Sequence, residues 1–236
     1  MTDIVLLTTN SKRENYSITA DKYSALPPNI PLLITEAYLS SKDIDVKIMD
    51  TEIYPKSMKQ AVQDLIQINP KVVGVICSGS NPSASTMSMV GAGTFFNELK
   101  KTNHEFLTFV SGGHPTVLPE RTLRELLTDF VVLGEGYQAM EEIINFSKGK
   151  IKKNKISSVA YFDKDKFVKN EINDLIKDIG KLPRINWHKV NTKDYRAHNW
   201  HCFGDSINNR SPYAIIWTNQ GCPYPCNFCS INNIFG

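Results

Sequence analysis

At 236 residues, with 41% hydrophobic and 22% charged side chains, the chain has the composition of an ordinary soluble globular protein, long enough for one large domain or a domain plus a further portion. A formal net charge of +3 is too small to argue for nucleic acid, and no apolar run approaches the ~18 residues that cross a bilayer. Five cysteines, three of them clustered, are no disulfide framework, and Met1 to Leu7 lack the basic head and apolar core of a signal peptide, so a reducing, cytoplasmic setting is expected.

From the N-terminus, strands and helices alternate. Ile4 to Thr8 is a short β-rich run, followed by a polar stretch from Thr9 to Asp21. Pro27, Pro28 and Pro31 introduce an apolar helix through Leu39, and Val46 to Asp50 reads as a second strand. Met58, Ala61, Val62, Leu65 and Ile66 fall at i, i+3, i+4, i+7 and i+8, one face of an amphipathic helix that Asn69-Pro70 ends. Val72 to Cys77 is continuously apolar, as a central parallel strand buried on both faces should be. A turn at Ser78 to Pro82 leads to a helix from about Ser85 to Lys100. Phe106 to Val110 makes the fourth strand and ends in Ser111-Gly112-Gly113-His114-Pro115. A helix near Pro119 to Leu127, a strand from Phe130 to Leu133, the turn Gly134-Glu135-Gly136 and a last helix carrying Met140, Ile143, Ile144 and Phe146 complete the set. Five strand–helix units in a row predict an α/β fold with a doubly wound, five-stranded parallel sheet over residues 1–147.

In such a sheet a ligand lies over the carboxyl ends of the strands. Those ends carry Ser78, Gly79 and Ser80, then Gly112, Gly113 and His114, then Gly134, Glu135 and Gly136. Glycines let backbone approach a ligand closely, but they are also plain turn residues. There is no Gly-x-Gly-x-x-Gly after the first strand and no Walker loop, so a dinucleotide or nucleoside triphosphate is poorly supported.

Residues 148–212 read as a linker. The lysine-rich stretch from Lys148 to Lys155 has the character of a solvated loop. Ile156 to Phe162 and Phe167 to Glu171 form a predicted β-hairpin, and Leu175, Ile176 and Ile179 a predicted short helix. Tyr195 to Phe203 gathers His198, His201 and Cys202 among large aromatics; a metal site is one open reading, and an aromatic plug between domains or a wall of the active-site cavity is the better supported one.

After the apolar run Tyr213 to Thr218, read as a strand, comes Cys222-Pro223-Tyr224-Pro225-Cys226-Asn227-Phe228-Cys229. Three thiolates this close on one loop can converge on one metal centre, and thiolates are what iron–sulfur clusters and zinc select. A structural zinc site wants four protein ligands, and no fourth cysteine or histidine lies in or just after the run. A zinc knuckle completed by a distant residue remains the alternative.

This Cys-x3-Cys-x2-Cys spacing, with Phe228 before the third cysteine, resembles the radical S-adenosylmethionine superfamily. The resemblance implies that Cys222, Cys226 and Cys229 ligate a [4Fe-4S] cluster whose free iron binds S-adenosylmethionine, with Phe228 near the adenine. It also implies a one-electron reductant such as flavodoxin or ferredoxin, and a small-molecule substrate. The tract Ser111 to Thr116 through Leu118-Pro119-Glu120, then Val132 to Gly136, together with Leu26-Pro27-Pro28, resembles the cobalamin-binding domain of one branch of that superfamily. What this implies is a corrinoid lying on the loops of residues 78–80, 112–114 and 134–136. Thr9 to Ser17 lacks the Asp-x-His-x-x-Gly motif by which many corrinoid proteins place a histidine on cobalt, so a histidine lower ligand from that loop is not expected. His114 is the nearest candidate, though a loop histidine beside proline is more often solvated or hydrogen-bonded.

Residues 213–236 then read as the start of a radical barrel whose later strands, with the substrate-binding residues, are absent, so no catalytic residue is assigned. The expected parent activity is that of a cobalamin-dependent methyltransferase. Cyclisation or ring contraction with a scaffold first domain, or a non-catalytic corrinoid or zinc module, are the alternatives.

Overall fold

The structure is a computed structural model and describes residues 2–11, 24–78, 85–173, 175–198, 206 and 209–235. Five strand–helix units come first: β1 (Ile4–Thr8), α1 (Ile30–Ser40), β2 (Val46–Asp50), α2 (Met58–Ile68), β3 (Val72–Ile76), α3 (Ser85–Lys100), β4 (Leu107–Ser111), α4 (Gly113–Val117), α5 (Pro119–Leu126), β5 (Phe130–Val132) and α6 (Tyr137–Ser147). The hairpin β6 (Val159–Asp163) and β7 (Lys166–Lys169) follows, and a short α7 (Asn232–Phe235) lies near the end. The strands form one sheet in the order β2-β1-β3-β4-β5-β6-β7, parallel from β2 to β5 and antiparallel beyond. Among the described residues no helix is long and apolar enough to cross a membrane.

Alternation along the strands builds the two sides of the sheet. Ile4 and Leu6 of β1 face a core with Leu32, Leu33 and Leu39 of α1 and Ile143 and Ile144 of α6. Val5 and Leu7 face the opposite core, with Val62 and Leu65 of α2, Phe95 of α3 and Leu123 of α5. Each such side chain contributes about 1.5–3 kcal/mol on burial.

Local chemistry sets the helix ends. Asn29 caps α1, its side-chain oxygen accepting from Leu32 N at 3.0 Å, with Pro31 in the first turn where its missing N–H costs nothing. Ser57 caps α2, and Asn69 ends it in the left-handed region at φ 49° ahead of Pro70.

The structure departs from the sequence reading at four places. The hairpin does not stand apart as a linker: Val131 pairs with Ala160, and Val159, Ala160 and Tyr161 are buried, so it covers the edge of β5. A helix precedes the one expected near Pro119, because α4 already starts at Gly113. Leu175 to Ile179 forms no helix; the Ile176 N–H is taken by the Glu135 carboxylate at 2.6 Å, and only a 3₁₀ turn at Ile179–Lys181 follows. Residues 213–218 run extended but pair with no strand among the described residues, and alternate between partly buried and exposed positions.

Residues 175–198 strap the α1 side of the sheet, with Ile185, Trp187 and Val190 packed against its core. Leu26 and Arg196 exchange backbone hydrogen bonds of 2.9 Å in an antiparallel bridge. Glu36 of α1, 1% exposed, pairs with Lys189 at 3.1 Å and accepts from Asn186 Nδ2 at 3.0 Å and Ser40 Oγ at 2.7 Å.

Candidate functional site

The order 2-1-3-4-5 reverses direction between β1 and β3, at the carboxyl ends of the strands where a doubly wound sheet binds ligands, and beside this point the loops after β3, β4 and β5 meet. A cleft occupies that place. Its floor is Ile76, Ser78, Ser111, Gly112 and Gly113; its walls are Pro31 and Thr35 of α1 and Gly134, Glu135, Tyr137 and Met140 of the β5–α6 turn. Trp217, Ile234 and Phe235 cover it from the C-terminal segment.

Hydrogen bonds stitch the three loops together. Cys77 N donates to Ser111 O at 2.7 Å, and Asn29 Nδ2 donates to Ser78 O at 2.6 Å while its oxygen caps α1. Ser85 Oγ donates to the Cys77 carbonyl and accepts from His114 N at 3.1 Å. Thr116 Oγ1 donates to Gly112 O at 2.8 Å and accepts from Gly134 N at 3.1 Å, tying the β4 loop to the β5 loop. Sequence reasoning missed these roles of Asn29, Ser85 and Thr116. Only Asn29 carried a signal, as an Asn directly before an apolar helix with proline in its first turn.

The glycines divide by cause. A β-carbon on Gly112 would meet Cys77 O at 2.0 Å, and one on Gly136 would meet Val132 Cγ1 at 2.0 Å, so packing of the fold demands both. Gly134 and Gly136 share φ 65°, the left-handed conformation that glycine adopts freely.

Of the residues the sequence singled out, Ser78, Gly112, Gly113, Gly134 and Glu135 line the cleft. Gly136 caps α6 beside it. Gly79 and Ser80 lie outside the described residues, as do residues 199–203 with His201 and Cys202. His114 does not line the cleft: its Nδ1 shares a 3.1 Å hydrogen bond with Thr86 Oγ1. Burial, with Arg121 nearby, holds its pKa below the ordinary imidazole value, against a smaller opposing effect of Glu125. Cys77 is fully buried, which pushes its thiol up to about 12 and leaves it inert. Burial likewise raises the Tyr137 hydroxyl, assisted by Glu135 and opposed by a hydrogen bond from Gln220.

The cysteine run loops out beyond the cleft. Cys222 and Cys229 are half-buried and Cys226 exposed, all three as free thiols. Cys229 N donates to Cys226 O at 3.1 Å, and Asn232 Nδ2 to Tyr224 O at 3.0 Å. Phe228 is 93% exposed. Among the described residues no three His, Cys, Asp or Glu side chains are gathered as a metal would require, so the loop offers the donors without presenting them as a preassembled triad.

Comparison with known proteins bears on this site. The chain is similar to an uncharacterized methyltransferase of Pyrococcus horikoshii, 28% identical over 205 residues, covering 85% of this chain and 40% of the relative. It is also similar to the anaerobic magnesium-protoporphyrin IX monomethyl ester cyclase of a Synechocystis species, 25% identical over 209 residues, covering 86% of this chain and 38% of that one. The chain thus spans about two fifths of the length of these relatives. Its fold matches that of the radical S-adenosylmethionine methyltransferase TsrM from Kitasatospora setae, solved with cobalamin and a [4Fe-4S] cluster, with TM-score 0.67 and 17% identity over 100% of this chain and 42% of the other. It also matches the cobalamin-dependent S-adenosylmethionine radical enzyme OxsB, with TM-score 0.58 and 14% identity over 74% of this chain and 23% of that one. The family model of the B12 binding domain matches residues 16–144, more than half of the chain. The protein therefore belongs to the B12-binding domain family.

Proposed function

We propose that the chain binds a corrinoid on the loops after β3, β4 and β5, and that it works as part of a cobalamin-dependent radical S-adenosylmethionine enzyme that transfers a methyl group to a small-molecule substrate. The observation that carries this reading is that the segments flanking the cysteine run close over the strand-end cleft: Trp217 before the run and Ile234 and Phe235 after it line it, and so bring the run next to it. The names of the relatives, a methyltransferase and a cyclase, support the enzyme class and favour methyl transfer from the first.

The chemistry of the lining suits a corrinoid, although the cleft in this closed arrangement encloses only about 40 Å³. Bare backbone at Gly112 and Gly113, the hydroxyls of Ser78 and Ser111, and the apolar Ile76 and Met140 match a macrocycle with an apolar face and amide edges. Among the described residues that line the cleft there is no histidine, and Ser78, Ser111, Gly112, Gly113 and Gly134 would hold the ring. Trp217, Ile234 and Phe235 would draw back to admit it. Cys222, Cys226 and Cys229 have the donor chemistry of a [4Fe-4S] cluster, and Phe228 beside them is free to meet an adenine. When bound, the corrinoid supplies a transferable methyl group and the cluster a one-electron reduction of S-adenosylmethionine. The chain's own work is to hold the two groups on either side of one substrate and to keep water out, with flavodoxin or ferredoxin as the expected electron source.

Anaerobic reconstitution with ferrous iron and sulfide tests the enzyme reading. The expected product is brown and carries about four irons per chain, and Cys226→Ala loses it. A chain that takes up zinc or no metal is a corrinoid carrier instead.

A further inference from the structure

The cysteine run is pinned at both ends to a single turn. At its start, Gln220 Nε2 donates to Glu135 Oε1, and Gly221 at φ 83° turns the chain outward into Cys222. At its end Ile234 is buried, and its carbonyl oxygen lies 3.3 Å from where a β-carbon on Gly134 would stand. Residues 222–229, with Phe228 almost fully exposed, arch between these two points.

Glu135 is 8% exposed, and both of its carboxylate oxygens are engaged: Oε1 by Gln220 and Oε2 by Ile176 N at 2.6 Å. Gln220 also bonds the buried Tyr137 hydroxyl. Two separate segments thus converge on this one carboxylate, each through its own oxygen. We propose that Glu135 is a positioning residue: it fastens the cysteine run to the strand-end cleft through Gln220. This rests on the reading above, in which the run works against a corrinoid bound in that cleft, and adds what sets the distance between the two.

The test is alkylation of the whole chain by N-ethylmaleimide, with labelling rates read at each cysteine by mass spectrometry, alongside hydrogen exchange of residues 213–222. Cys77, fully buried, reports whether a variant is folded. Gln220→Ala and Gln220→Glu are expected to speed labelling of Cys222 and exchange of this segment by about tenfold, with Cys77 still protected, because a charge-assisted hydrogen bond is lost. The exchanged pair Glu135→Gln with Gln220→Glu restores a donor and an acceptor and is expected to return both rates towards those of the parent chain. Parent rates in both single Gln220 variants, or no rescue in the exchanged pair, would overturn the proposal. Cyanocobalamin retention separates it from the reading it rests on. Glu135→Ala is expected to speed Cys222 labelling as the Gln220 variants do, whatever its retention; parent-rate labelling in a folded Glu135→Ala chain overturns the proposal. A parent chain that retains none while the labelling pattern holds removes the corrinoid and leaves the tie standing.

Discussion

The α-carbon of Gly112 lies against the carbonyl of Cys77, so close that a β-carbon at position 112 would sit 2.0 Å from that oxygen. Gly112 has φ 141° and ψ 177°, a conformation essentially reserved for glycine. The contact fixes the distance between the ends of β3 and β4, which form the floor of the cleft. Gly112→Ala is therefore expected to destabilise the fold by roughly 3 kcal/mol or more, from strain and overlap with backbone that cannot yield. Gly149→Ala is the control: φ is 71° but nothing lies within 4 Å, so the cost is about 1–2 kcal/mol. Urea denaturation of both variants checks the difference.

Thr116→Val keeps the shape of a buried side chain and removes its hydroxyl, which donates to Gly112 O and accepts from Gly134 N. The expected loss is about 1–3 kcal/mol, since Gly134 N–H loses this acceptor, while Gly112 O keeps the backbone N–H of residue 116 at 3.1 Å. The same variant is expected to weaken corrinoid retention, because the β4 and β5 loops lose their tie. Unchanged stability and retention would show that water replaces the hydroxyl.

His114 is expected to be neutral at pH 7, its pKa lowered by burial and by Arg121. Between the folded value and the ordinary 6.5, the unfolded chain binds a proton that the folded chain does not, so stability rises with pH across this window. The contribution is complete above 6.5 and is lost as pH falls towards the folded value. An NMR titration of the imidazole checks the direction. His114→Ala should leave the visible spectrum of bound corrinoid unchanged, as the ring is engaged with Thr86 and does not line the cleft.

Lys189→Ala leaves Glu36 buried without its counter-charge. Lys189 is partly solvated and Glu36 keeps its bonds from Asn186 and Ser40, so the expected cost is about 1–3 kcal/mol, below that of breaking a fully buried pair. Hydrogen exchange should locate the loss in residues 175–198 and not in the sheet.

What was legible in the sequence was what hydrophobic periodicity controls. The unbroken run Val72 to Cys77 marked the central strand, and the spacing of Met58, Ala61, Val62 and Leu65 marked α2 with its buried face. The strand-end tracts placed the cleft, since a doubly wound sheet can offer a ligand little else. Long-range partners were not legible. Val159-Ala160-Tyr161 is apolar on both faces because it covers β5, yet the same residues would suit a free hairpin. Tyr213 to Thr218 has the composition of a strand but meets no strand partner among the described residues, and propensity alone cannot supply one. Ile176 lost its predicted helix to a carboxylate 41 positions away. Glu36 reads as one polar position in a helix, and only the fold reveals that it anchors the strap.

Corrinoid binding by the strand-end loops is the central claim, and retention of cyanocobalamin tests it most directly. The purified chain is incubated with an excess of the corrinoid, freed of unbound ligand by gel filtration, and its visible spectrum recorded, with Cys77 protection confirming the fold. The account predicts about one corrinoid per chain, and a marked loss in Gly112→Ala or Thr116→Val. A folded chain that retains none would contradict it.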